Sequence, residues 1–357
     1  MNRELTVQIL IDFYRKRYPD TAEYCALIEQ WELWAKTKPL QGKRILDGTP
    51  LFFNTFGKYI ALLLAGAELT VAYSDELPYD PQALNMLNEL GIPTLYYNKP
   101  GDCQTEFDAI LDCAGILRFI PSKYGYGELT RSGILIYQDR DVPLFAVDSG
   151  RIKQIETCLG TGESCLRALR QMGYRNWQNT SVLQFGYGKV GRGIAMYLQE
   201  AGADVTVVDK KNTPVMPGIH FIDMDSKEKI REQIGKTQWL ISVTGVYAAL
   251  ESYVPDIKKS NAIAVNMGAV DEFGALMEDE RVLYKKQPLN FMLEEPTLLR
   301  YIDATMALDN AAAAYLCQNT TPYPPGTILP PVDLENEILA AVFKTGLITR
   351  EIQKAGI

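Results

Sequence analysis

Apolar positions recur at helical spacing through residues 1–37, in Val7, Ile9, Leu10, Phe13 and Tyr14 and again in Leu27, Ile28, Trp31 and Trp34. That spacing predicts helices. Lys38-Pro39-Leu40 ends the pattern. From 43 to about 150 the short apolar runs KRILDG, AELTVAYS, IPTLYYN, AILDCAG and PLFAVD alternate with the helical stretches IALLLAG and PQALNMLNELG. A second series begins near 180. There SVLQFG, ADVTVVD, HFIDM, WLISVTG and AIAVNMG read as strands, and VGRGIAMYLQEAG, SKEKIREQIGK and VYAALESY as the helices between them. Such alternation predicts an α/β fold with parallel sheets. Beyond 300, ATMALDNAAAAYLCQN and LENEILAAVFKTGLITREIQKAG read as helices. The Pro-rich TTPYPPGTILPPVD between them is an extended connector.

The length of 357 residues suggests two domains at roughly 150 residues each. A net charge of -8 argues against non-specific nucleic-acid binding, because polyphosphate attracts basic surfaces. No run of about 18 apolar residues is present, so no membrane span is expected. MNRELTVQILIDFYRKRYPD has no signal-peptide core, and none of the six cysteines stands in a CxxC pair. These features predict a cytoplasmic protein with reduced thiols and no metal site. The single histidine, His220, excludes any mechanism that needs two. Its place in PGIHFID, a turn entering a strand, favours a surface or structural role.

The strongest motif is Gly186-Tyr187-Gly188-Lys189-Val190-Gly191. It follows the strand SVLQF, opens a helix, and precedes a strand ending in Asp209, 209 − 186 = 23 positions past the first glycine. This context marks a dinucleotide-binding fingerprint. Gly186 permits the tight turn, Gly188 admits the pyrophosphate, and Gly191 lets helix and strand pack closely. The helix N-terminus offers amides and a positive dipole end to phosphate. Asp209 suits the adenine-side ribose hydroxyls and disfavours a 2′-phosphate, which predicts NAD over NADP. Lys210 and Lys211 follow directly and work against that preference. Thr244-Gly245 and Asn266-Met267-Gly268 end two later strands, where ligands of open α/β sheets bind, and are expected to line the cofactor.

In their order these segments resemble the S-adenosylhomocysteine hydrolase family. KPLQGKRI followed by LLLAGAELTVAYS is similar to the start of its substrate domain. AILDCAG is similar to ILDDGG, and VDSGRIKQIETCLGTGESCLRAL to the segment leading into its cofactor domain. FGYGKVGRG, SVTG and NMGAVDEF are similar to GYGDVGKG, TTTG and NIGHFDVEI. The resemblance runs from about 38 to 320. It implies a Rossmann-type, doubly wound NAD-binding domain at 155–303 and a discontinuous α/β substrate domain. The latter comprises 1–150, completed with the hinge by C-terminal helices in 304–357. Hinges are implied near 148–157 and 303–310. The family oxidises its substrate's 3′-hydroxyl with NAD, eliminates the thiol, adds water and returns the hydride. The resemblance further implies that Thr130 and Ser132 contact the nicotinamide side of NAD, and a homo-oligomer is expected.

The substrate side departs from the family pattern. Phe52 and Asn54 stand at its adenosine-pocket Thr and Glu, Cys113 at its substrate aspartate, and Leu129 at a glutamate, with Asp112 and Glu128 the nearest acids. Ile152 replaces the catalytic lysine, Glu156 its paired aspartate, and Ala269 a histidine. Hydrolysis of S-adenosylhomocysteine is therefore not expected. Proton transfer would fall to Lys153 and Glu156, three apart on one face if helical, and Asp148 would hold a substrate hydroxyl or cap the next helix. Cys113 has no histidine to activate it and reads as a small buried residue. Phe52, Phe53, Tyr96 and Tyr97 read mostly as core. Two functions follow from these residues. One is an NAD-dependent enzyme acting by hydride transfer, as a net dehydrogenase or through an internal redox cycle, on a small hydroxylated or amino-acid-like substrate. The other is a catalytically lapsed NAD-binding regulatory protein.

Overall fold

A computed structural model describes residues 2–357. The chain forms two compact units, one of residues up to Lys153 together with Leu299–Arg350, the other of Gln154–Leu298 with Glu351–Ile357. In chain order the elements begin with α1 (Arg3–Arg17), α2 (Cys25–Thr37), β1 (Arg44–Asp47), α3 (Phe56–Leu64), β2 (Glu68–Tyr73), α4 (Pro81–Glu89) and β3 (Thr94–Tyr96). Next come β4 (Ala109–Asp112), β5 (Tyr126–Glu128), α5 (Arg131–Tyr137), β6 (Pro143–Ala146) and α6 (Arg151–Gln154). A π-helical turn, Ile155–Gly160, leads into α7 (Thr161–Gln171), β7 (Ser181–Phe185), α8 (Lys189–Glu200), β8 (Asp204–Asp209) and β9 (His220–Asp223). The chain continues through α9 (Lys227–Ile234), β10 (Trp239–Ser242), α10 (Val254–Lys259), β11 (Ile263–Asn266) and β12 (Val282–Leu283). It finishes with α11 (Leu299–Cys317), β13 (Gly326–Ile328), α12 (Val332–Thr345) and α13 (Thr349–Ala355).

Both sheets are parallel. The first unit orders its strands β13-β6-β5-β4-β1-β2-β3 and the second β12-β11-β10-β7-β8-β9. Counted within the second unit, that is the doubly wound order 3-2-1-4-5-6, with the reversal between β7 and β10. Helices cover both faces of such a sheet, so its strands are apolar on both sides. Val182, Leu183, Val205, Val207, Leu240, Ile241, Ala264 and Val265 are accordingly buried. Among the described residues no helix is long and apolar enough to cross a membrane.

Helix ends follow local chemistry. Asp80 caps α4, accepting from the Gln82 amide at 2.7 Å, and Pro81 occupies the first turn. The N-terminus of α2 is capped from far along the chain. Asp303 accepts from the Ala26 and Leu27 amides at 2.7 and 2.9 Å, and burial pushes its carboxyl up to about 7. Lys58 is wholly buried on α3, where it meets Asp47, Asp309 at 2.7 Å and the Thr49 hydroxyl at 2.9 Å. Burial lowers its pKa against the pull of Asp309.

The expected elements differ in four places. VYAALESY is not the helix of its region. Gly245 and Ala248 take φ of 74° and 56°, and α10 starts only at Val254, with Pro255 in its first turn. Three-residue β5 carries too short an apolar run to be read, yet it pairs with both β4 and β6. The Pro-rich connector contributes β13, an edge strand in register with β6 from Gly326↔Pro143 to Ile328↔Phe145. The C-terminal helical stretch breaks at Gly346, φ 71°, and its last residues join the second unit rather than the first. There Lys354 pairs with Glu200 at 2.6 Å, and Arg192 donates to the Ala355 carbonyl.

Candidate functional site

At the carboxyl end of β7 the three fingerprint glycines answer different demands. Gly186 has φ 97°, and a Cβ there would stand 2.4 Å from the Val243 carbonyl oxygen. A Cβ on Gly191 would stand 2.4 Å from the Gly186 oxygen. The chain's own packing therefore requires both. Gly188 is different. Its φ of -73° suits any residue, and a Cβ would meet nothing within 4 Å. No atom of the protein demands glycine at this position, which leaves room against the backbone for a ligand where α8 begins. The first amides of a helix have no partner within it, so this opening fits a pyrophosphate.

Two side chains, the buried Gln184 and the half-buried Asp209, hold the turn. The Gln184 side-chain amide donates to the Gly186 and Gly191 carbonyls, both at 2.8 Å. The Asp209 carboxylate accepts from the Tyr187 amide and, through its other oxygen, from the Lys210 amide at 2.6 Å. Asp209 is thus fixed at the end of β8, beside the glycine turn, and keeps acceptor capacity for hydroxyls. Val190 is half-buried in the first turn of α8. His220 lies exposed on the edge strand β9, its Nε2 3.3 Å from Asp204, away from these groups.

On the other side of the strand reversal, Glu272 organises the ends of β10 and β11. Its carboxylate is wholly buried and accepts from the Ser242 hydroxyl, the Thr244 amide at 2.8 Å, the Thr244 hydroxyl at 2.9 Å and the Gly245 amide at 2.6 Å. A Cβ on Gly268 would stand 1.8 Å from it, so that glycine is required by the acid. Asn266 turns inward. Its amide donates to the Lys286, Val270 and Gly268 carbonyls at 2.6, 2.9 and 3.2 Å, and it shapes the loop after β11. Neither Gln184 nor Glu272 was singled out by the sequence pattern. The acid pair Asp271-Glu272 inside the otherwise uncharged run NMGAVDEFGALM was the available signal for the second.

In the first unit, Thr130 caps α5. Its hydroxyl donates to Glu128 at 2.7 Å and accepts from the Gly133 and Ala114 amides at 3.0 and 3.1 Å. Ser132 donates to Thr130 at 3.3 Å. Glu128 also accepts from the Ala114, Gly115 and Thr130 amides, while Asp112 accepts from the Tyr137 hydroxyl at 2.7 Å. Burial and the neighbouring Asp112 charge push Glu128 up to about 8, and burial raises Asp112 to about 6. Cys113 follows Asp112 and is buried. Of the aromatic group, Tyr97 is buried, Phe52 and Phe53 are half-buried, and Tyr96 is exposed, its hydroxyl on Asp75 at 2.7 Å.

Asp148 is buried just after β6. The start of α6 is capped from α12, where Glu335 accepts from the Ile152 amide at 3.0 Å. Lys153 is 6% exposed, and Glu156 falls in the π-helical turn. The chain passes from α-helical to π-helical geometry at Ile155, between Lys153 and Glu156. Among the described residues no cluster of three or more histidine, cysteine or acidic side chains is placed to hold a metal.

No family model matches the chain. It is 26% identical over 283 residues to adenosylhomocysteinase of Thermoplasma volcanium, covering 70% of this chain and 67% of the relative. The corresponding figures for Thermoplasma acidophilum are 26% over 282 residues, 68% and 66%. Thermotoga maritima adenosylhomocysteinase is 22% identical over 360 residues, 86% of this chain and 88% of the relative. The match thus spans about two thirds of the length of the first two. Among solved structures, a dipicolinate synthase from Bacillus halodurans is similar at a TM-score of 0.48 and 12% identity, covering 78% of this chain and 99% of that one.

Proposed function

We propose that this chain, weakly homologous to the adenosylhomocysteinases over most of its length, is a divergent member of their superfamily that binds NAD on its second unit and transfers hydride to or from a small hydroxylated or amino-acid-like substrate other than S-adenosylhomocysteine. The observation that carries this reading is Gly188, a glycine that the protein's own packing does not require, at the mouth of α8. The α8 amides receive the pyrophosphate, and Asp209 accepts from the ribose hydroxyls and repels a 2′-phosphate. Bound NAD supplies a carbon that accepts a hydride and returns it.

As hydride leaves to NAD, the substrate hydroxyl gives up its proton to Lys153, which hands it back when the hydride returns; Glu156 is the second candidate for that role and Asp148 an acceptor for a second hydroxyl. Adenosine is disfavoured because Leu129, Ile152 and Cys113 are buried apolar or weakly polar side chains where the family carries charge. A missing hydrogen bond costs about 0.5–1.5 kcal/mol, and a missing charged partner more. The assembly we propose is a homo-oligomer, which light scattering measures directly.

Calorimetry with NAD, NADH and NADP tests the cofactor. NAD binding tighter than NADP supports the reading, and failure of NAD to bind overturns it. A panel of hydroxy acids, amino acids and nucleosides, followed by the absorbance of reduced nicotinamide, tests the chemistry. Nucleotide binding without any reduction across the panel, together with unchanged behaviour of Lys153→Met, would leave a binding protein and no enzyme.

A further inference from the structure

Glu272 is the one buried acid of the second unit among the described residues. It is 0% exposed, and every partner it has is a neutral donor. Among the described residues no lysine or arginine pairs with it. The nearby cation on the same loops, Lys286, is already shared by Asp271 and Asp279, each at 3.2 Å. The fold therefore keeps an anion out of water with hydrogen bonds alone, an arrangement that costs stability unless a positive charge completes it.

Its place in the sheet says which charge that is. Asp209, at the end of β8, marks the adenosine side of the strand reversal, and Glu272 locks the ends of β10 and β11 on the opposite side. A dinucleotide crossing the carboxyl edge of this sheet lays its nicotinamide half there. The flanking loops present the exposed apolar residues Val246, Tyr247 and Val270, a surface that suits a flat ring. The oxidised nicotinamide ring carries one positive charge. Addition of a hydride, two electrons with one proton, leaves it neutral. A fixed carboxylate behind these loops discriminates between the two forms.

Resting on the NAD reading, we propose that Glu272 is a positioning residue that sets the redox balance of the bound cofactor. It holds the loops after β10 and β11 in place, and its uncompensated charge favours the oxidised over the reduced nucleotide. The sign is fixed by electrostatics. Removing the anion weakens NAD+ binding more than NADH binding, whereas simple loosening of the loops weakens both alike.

The test is the ratio Kd(NAD+)/Kd(NADH), measured by calorimetry on the full chain. Glu272→Gln should raise the ratio about tenfold at the effective dielectric of a protein site. That fold-change corresponds to about 30 mV in the two-electron potential of the bound couple. Glu272→Asp, which keeps the charge, should return the ratio towards that of the unaltered chain. An unchanged ratio in Glu272→Gln, with both nucleotides still bound, overturns this inference and leaves the NAD reading standing. Failure of the unaltered chain to bind either nucleotide overturns the NAD reading itself. Should Glu272→Gln not fold, Val270→Lys places a cation on the exposed side of the same loop. It should shift the ratio upward in the same way, and a ratio unmoved by that lysine also counts against the proposal.

Discussion

Replacing Gly188 with alanine separates what the fold needs from what a ligand needs. Alanine accepts φ -73° without strain, and its Cβ would meet no atom within 4 Å. Two small terms act on stability. Loss of glycine's freedom in the unfolded chain stabilises by about 0.4–1 kcal/mol. Alanine is a poorer helix N-cap than glycine, which costs about as much. They cancel to within about 1 kcal/mol, or a Tm change of roughly 2–4 °C for a unit of this size. Gly191→Ala is the contrast. Its Cβ would stand 2.4 Å from the Gly186 carbonyl oxygen, a backbone atom that cannot swing aside, so it should destabilise by about 3 kcal/mol. Calorimetric melting gives the stability and titration with NAD the affinity. Gly188→Ala should melt with the unaltered protein yet bind NAD at least about tenfold more weakly, because a pyrophosphate held by backbone amides cannot move off by a methyl's width. Gly188→Val should abolish binding. An alanine variant that binds NAD normally would refute the idea that phosphate approaches the chain at this residue.

Asp209→Ala should weaken NAD at least about tenfold and narrow the gap to NADP, and unchanged selectivity would remove Asp209 from the ribose site. Gly193→Ala should be the most damaging of the glycine changes, because its Cβ would fall 1.6 Å from the Cys158 carbonyl oxygen where α8 meets the π-helical turn; denaturant melts should show a loss of about 3 kcal/mol or more. Stability should fall as pH rises. The folded pKa of Asp303, about 7, lies above its ordinary 3.8, so its contribution is complete below about pH 4 and is lost as pH passes 7; Glu128, raised to about 8, acts in the same direction. Melts between pH 5 and 9 measure that slope, and Asp303→Asn should flatten it. With NAD saturating, S-adenosylhomocysteine should release no thiol at an ordinary enzymatic rate of roughly 1 s⁻¹. Turnover at that rate would instead make Asp112, Lys153 and Glu156 the working groups.

What the sequence determined by itself is the part of this protein written in consecutive residues. The alternation of apolar runs with helical stretches dictates parallel sheets. The fingerprint declares itself because a turn, a helix N-terminus and a strand-end acid must follow one another within a few dozen positions. Tertiary structure alone decided the rest. Three-residue β5 forms only because β4 and β6 supply its partners on either side. Lys58 looks like an interruption in an apolar run until Asp309, 251 positions later (309 − 58), closes on it. Asp303 caps a helix that begins at Cys25. Glu272 reads as an ordinary loop acid, and it becomes the lock of two strand ends only when Ser242, Thr244 and Gly268 are folded around it. Asn266 and Thr130 likewise gather partners that sequence order does not announce, the Lys286 carbonyl for one and the Ala114 amide for the other. The physical reason is common to all of these. A buried polar group must find partners wherever the chain can bring them, and sequence distance does not limit where that is.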